Sequence, residues 1–198
     1  MAGALVCNAA LKSMVAFDIE TRGLDPTVRN AVTCVCFYDG LGLAETCLFK
    51  AEDSEADLAL RTRVLSLLDA APRLCAFNGV RFDIPFLCRA WGVPSGRAGE
   101  WVRKTVDVFE ACKLGLGKTF SLSRVLAHNG LESKTGSGLD AIRLAETREW
   151  EQLGAYCMQD TRLTYLLTCQ HHIALPLHTA AKRRVVLQTL HPRPFVLW

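Results

Sequence analysis

The chain has 198 residues, half of them hydrophobic, and a formal net charge of +3 from 23 basic and 20 acidic side chains. That length buries one sizeable core, and that composition excludes a disordered or fibrous polypeptide. No apolar run approaches the roughly 20 residues of a membrane helix, and the mildly apolar start lacks the basic leader of a secretion signal, so an intracellular protein with no membrane partner is expected.

Residues 15–21, VAFDIET, alternate as a strand, with Val15, Phe17 and Ile19 on one face and Ala16, Asp18 and Glu20 on the other. Residues 31–38, AVTCVCFY, and 43–50, LAETCLFK, are β-rich and flank the turn sequence DGLG, which predicts three antiparallel strands. The acidic start and helical apolar spacing of 54–70 predict a helix. A short strand, RLCAFN, follows at 73–78 and runs into an Asn78–Gly79 turn, where glycine is expected to supply an unusual backbone angle. Residues 83–91, DIPFLCRAW, begin a helix that tolerates Pro85 in its first turn. Residues 105–111, TVDVFEA, read as a strand, which would put Asp107 and Glu110 on opposite faces.

Residues 121–131 predict a helix capped by Ser121 and stopped at Gly130. ESKTGSG, 132–138, reads as a mobile loop, 149–172 as a long helix, and RRVVLQTL, 183–190, as a last strand or an edge. Strands followed by alternating helices and strands, with no linker, predict one α/β domain over 1–198 built on a mixed sheet. The motif-bearing part covers about 14–170, and a basic extension from about 176 carries Lys182, Arg183, Arg184 and Arg193, which suit either solvent or phosphates.

Nine cysteines are present, with no CxxC pair. Cys34, Cys36, Cys75, Cys88, Cys157 and Cys169 sit in apolar stretches, and Cys34 and Cys36 share a strand face, a poor zinc-finger arrangement. Buried thiols in a reducing compartment, cytoplasm or nucleus, are expected. GLGKT, 115–119, mimics the end of a phosphate loop, but the full pattern needs glycine at position 112, which is Cys112. Cys169, His171 and His172 offer ligands at a helix end without a partner pair, as a surface terminus would.

Two acids one residue apart on a strand face one place together, and their mutual repulsion is relieved by a hard cation with oxygen ligands or by plain solvation. Asp83, after a later strand, either joins that site or caps the next helix. Tyr156 and Asp160, four apart on a helix, share one face. In this order FDIET, FNGVRFD and YCMQD resemble the motifs of the DEDDy exonucleases, ribonuclease H-like, DnaQ-like 3′–5′ exonucleases, and most resemble the proofreading domains of family B DNA polymerases and their stand-alone relatives. The histidine branch is excluded by Ala155.

The resemblance implies a ribonuclease H-like fold with three antiparallel strands plus parallel strands, flanked by helices. It implies two divalent cations, Mg2+ or Mn2+, on Asp18, Glu20, Asp83 and Asp160, with Tyr156 aligning the attacking water. The implied substrate is the 3′ end of single-stranded DNA or RNA, DNA favoured, met by Thr21, Leu24, Asn78, Phe82 and Lys134. Lys134 also suits a solvated loop, and Arg22, Arg29 and Arg81 flank the motifs, where they suit either phosphates or solvent. Phe82 also suits the core. A polymerase, repair or replication partner is left open. An RNA-trimming enzyme and a catalytically weak binding module are the alternatives.

Overall fold

The computed structural model describes residues 14–28, 31–50, 55–170, 172–174 and 184–186. Strands β1 (Met14–Thr21), β2 (Val32–Tyr38) and β3 (Ala44–Leu48) form an antiparallel run. Helix α1 (Glu55–Ala70) leads to β4 (Arg73–Ala76), parallel to β1; helices α2 (Asp83–Trp91) and α3 (Ser95–Lys104) lead to β5 (Thr105–Asp107), parallel to β4. Helices α4 (Val108–Leu116), α5 (Leu122–His128), α6 (Gly138–Glu146) and α7 (Trp150–Thr168) follow. Strands β6 (His172–Ala174) and β7 (Arg184–Val186) pair as a small second sheet. The main sheet has the order β3-β2-β1-β4-β5, the mixed architecture expected. Among the described residues no helix is long and apolar enough to cross a membrane.

Alternation along β1 sorts the two faces. Phe17 and Ile19 join Val35, Phe37 and the buried sides of α1, α2 and α3. Met14 and Ala16 face the other way, into a cluster with Val106, Val125, Leu126 and Leu167. Farther along that second face, Cys34 and Cys36 pack with Ala141, Leu144, Leu153 and Cys157 under α6 and α7. Helix α7 comes close to the sheet at Gly154, where a methyl group would stand 3.1 Å from Thr46 Cγ2.

Several expectations need correction. TVDVFEA is not one strand: β5 ends at Asp107, which caps α4 by accepting hydrogen bonds from the Phe109 and Glu110 amides. The β-prone Val108 and Phe109 yield to that cap, so Asp107 and Glu110 are not on opposite strand faces. In the 78–79 turn it is Asn78 that carries the positive φ, 70°, while Gly79 supplies room: a Cβ there would lie 2.5 Å from Ala76 Cβ and 3.2 Å from Phe17 Cζ. The ESKTGSG stretch ends in a capping box, in which Ser137 and Asp140 start α6. The long helix stops at Thr168, and His172 belongs to β6. Ser121 caps α5 as expected, its hydroxyl accepting from the Arg124 amide. Of the predicted last strand, 184–186 is β7; residues 187–190, and Lys182, Arg183 and Arg193, lie outside the described residues.

Candidate active site

Strand β4 pairs with β1 only over Met14–Ala16 and then leaves the sheet for the 77–82 turn. The Ile19 amide, beyond that pairing, donates instead to Asp83 Oδ1 at 3.1 Å. The first residue of α2 is thereby tied to β1, so Asp83 does not act as a helix cap. The crevice at the carboxyl ends of β1 and β4 is where open α/β sheets place ligands.

Asp18 and Glu20 share the β1 face covered by α7. One carboxylate oxygen from each, together with Cys157 Sγ, lies within a group whose members are all within 4.8 Å of one another. Asp83 and Asp160 are not part of that tight group, but they act on it through charge. Asp18 is pushed well above the ordinary carboxylate range, first by burial and then by Asp83, Glu20 and Asp160. Burial, followed by Asp160 and Asp83, pushes Glu20 up to about 8, against the opposing pull of Lys134. Asp83 rises to about 7, by burial and then by Asp107. Four acids gathered where burial limits their solvation disfavour their own ionisation.

Among the described residues, Lys134 brings a positive charge to this cluster. Its Nζ donates to Asp160 Oδ2 at 2.5 Å and lies 5.1 Å from the centroid of the Tyr156 ring. Asp160 Oδ1 is buried without a hydrogen-bond partner. Burial of Asp160 raises its carboxyl despite the Lys134 contact. Burial also holds the Tyr156 phenol above its ordinary value. An acid cluster short of positive charge, with an orphaned carboxylate oxygen, fits a hard divalent cation with oxygen ligands.

The remaining predicted residues are placed less tightly. Thr21 is buried, and its hydroxyl donates to the Gly23 carbonyl at 2.7 Å. Leu24, in the loop after β1, is 83% exposed. Asn78 is half-buried in the turn. Phe82 is half-buried against the core, 5.4 Å from the Phe86 ring centroid. Arg81 pairs with Glu110, its second nitrogen reaching Glu110 Oε2 at 3.1 Å, so its charge is already engaged. Arg22 is exposed and Arg29 lies outside the described residues.

One supporting residue has a role that its reading as a strand position hid. Asp107, 1% exposed, accepts from the amides of Asn78 at 2.9 Å and Val80 at 2.9 Å as well as from its own helix. It clamps the turn that leads into Asp83. The sequence holds a signal for it, because Asp107-x-x-Glu110 has the spacing of a helix start. Lys134, expected to meet the substrate, is instead carried by its loop to Asp160, 26 positions on.

Residues 15–170 match the family model described as RNase_H superfamily. The chain belongs to the RNase_H superfamily. Among solved structures, a family B DNA polymerase from Pyrobaculum calidifontis superposes with a TM-score of 0.61 at 18% identity, covering 79% of this chain and 24% of the polymerase. Exonuclease I superposes at 0.48 with 16% identity over 79% of this chain and 40% of its own. Brucella melitensis NrnC bound to pGG gives 0.47 with 20% identity over 84% of this chain and 76% of its own. No curated protein matches the sequence. The chain thus spans about a quarter of the polymerase, whose likeness is one of fold.

Proposed function

We propose that this chain is a metal-dependent 3′–5′ exonuclease that hydrolyses phosphodiester bonds at the 3′ end of single-stranded nucleic acid, DNA favoured, and releases nucleoside 5′-monophosphates. The observation that carries this reading is the pairing of Asp18 and Glu20 on β1, with Asp83 on α2 bonded to the Ile19 amide between them and Asp160 on α7 near enough for its charge to raise both. Membership of the superfamily and the order of the three motifs support it.

Asp18, Glu20, Asp83 and Asp160 would hold the divalent cations, Mg2+ or Mn2+. When bound, two such ions supply an activated water, neutralise the phosphate and stabilise the departing 3′ oxygen. Tyr156, whose burial keeps its phenol protonated at neutral pH, orients the attacking water as a hydrogen-bond donor rather than as a base. Lys134 holds Asp160 in place and keeps the metal-free cluster tolerable. Leu24, Thr21 and the Asn78–Phe82 turn flank the cleft and receive the terminal nucleotide, with Phe82 offering a sequence-tolerant aromatic face.

The test uses matched DNA and RNA oligonucleotides labelled at either end, plus a circular single strand, in Mg2+, Mn2+ or chelator. Stepwise shortening from the 3′ end is expected only with metal, and Asp18→Ala is expected to abolish it while the circular dichroism spectrum is kept. Cleavage of the circle, or undiminished turnover in folded Asp18→Ala, would defeat the proposal. The ratio of DNA to RNA rates decides between the favoured substrate and the RNA-trimming alternative.

A further inference from the structure

We propose that Cys34, Cys36 and Cys157 form a second cation site, separate from the carboxylates, that takes a soft, thiophilic ion of the zinc or copper(I) class. Cys34 and Cys36 alternate onto one face of β2, and the strand register sets them opposite Glu20 and Asp18 on β1. Two thiols on one strand make a poor site by themselves. Helix α7 supplies the third, and the three sulfurs all lie within 4.8 Å of one another, each buried.

The dimensions fit a soft ion. Zinc–thiolate bonds of about 2.3 Å at tetrahedral angles imply sulfur–sulfur separations of about 3.8 Å. Cys34 Sγ and Cys36 Sγ are 3.8 Å apart. Cys36 Sγ donates to the Thr46 hydroxyl at 3.4 Å, and that hydroxyl can turn its own proton toward the sulfur once the thiol has lost its proton. Ligation of one divalent cation by three thiolates sends whatever protons the sulfurs carry to solvent and leaves a net charge of −1, with no change of oxidation state.

Ligand softness keeps the two sites distinct. Magnesium prefers the carboxylate oxygens, whereas thiolates select soft ions. Cys157 is where the sites meet, because its Sγ is 3.9 Å from Asp18 Oδ2 and also belongs to the group with Asp18 and Glu20. The competing arrangement is therefore a mixed oxygen–sulfur site that uses Cys157 alone. The proposal stands whether or not the acids cleave nucleic acid, and its readout is not activity.

The experiment titrates reduced, chelator-treated full chain with Cd2+ and follows the ultraviolet thiolate-to-cadmium charge-transfer band. The expected result is one equivalent bound with the intensity of three thiolates, unchanged by excess Mg2+ and by Glu20→Gln. Cys34→Ala and Cys36→Ala should each weaken binding at least about tenfold, the scale set by losing even an outer partner of a metal site. Cadmium NMR of the unmutated chain gives the thiolate count without any variant and should lie in the sulfur-rich range. No band, or a one-thiolate band that Mg2+ displaces or Glu20→Gln removes, would overturn the proposal.

Discussion

Replacing Asp107 by alanine tests whether one buried carboxylate holds the site turn. The change strips acceptors from the amides of Asn78, Val80, Phe109 and Glu110, now bonded at 2.9, 2.9, 2.9 and 3.2 Å. The two turn amides lose a charged acceptor, costing about 2 kcal/mol each, and loss of the helix cap costs about 2 kcal/mol more. This gross loss of roughly 6 kcal/mol is an upper bound, because burial, only partly countered by those same amides, pushes Asp107 from 3.8 up to about 6 and alanine releases that strained charge. The shift already contains the amide bonds, so the two do not subtract; the buried amides left unpaired keep the net effect destabilising, on the order of 2–3 kcal/mol. Asp107→Asn keeps one acceptor oxygen and removes the charge, so it should lose less than alanine. Urea unfolding followed by circular dichroism at neutral pH measures both. A midpoint for Asp107→Ala that matches the parent, with an unchanged slope, would show that the turn does not depend on this side chain.

The acid cluster makes metal-free stability depend on pH. Glu20, raised to about 8, and Asp83, raised to about 7, keep protons in the fold that the unfolded chain has already lost. Their contribution is full below about pH 4 and is lost as pH rises through 7 to 8, so stability in chelator falls across that window; thermal melts that rise with pH there would contradict it. Lys134→Met removes the partner of Asp160 from a pair whose side chains are only 17% and 7% exposed, and should cost about 3 kcal/mol in chelator. Saturating Mg2+ should recover most of that cost, and an equal loss in both conditions would mean that Lys134 acts by packing alone. Tyr156→Phe should slow cleavage on the order of 100-fold, as loss of one aligned donor does, while calorimetric metal affinity stays within about twofold. A matching loss of metal affinity would give Tyr156 a different part.

The parts of this protein that obey local rules could be read from the chain alone. Two-residue alternation placed Asp18 and Glu20 together on β1, and a four-residue helical step placed Tyr156 beside Asp160 on α7. Those relations need only backbone geometry over a few residues. That a helix begins at DIPFLCRAW was legible for the same reason, and α2 starts there at Asp83.

What the chain alone left open depends on partners far away in sequence. Whether TVDVFEA stays extended was decided by Asp107, whose carboxylate serves a turn 27 to 29 residues earlier as well as its own helix. Cys34 and Cys36 read as a pair unsuited to metal until α7 brought a third sulfur to them from more than 100 positions away. Lys134 read as a loop lysine, solvated or reaching a substrate backbone, until folding closed the distance to Asp160. Charge and ligation act through space, so only the packed sheet and the helix lying across it could say which of these side chains meet.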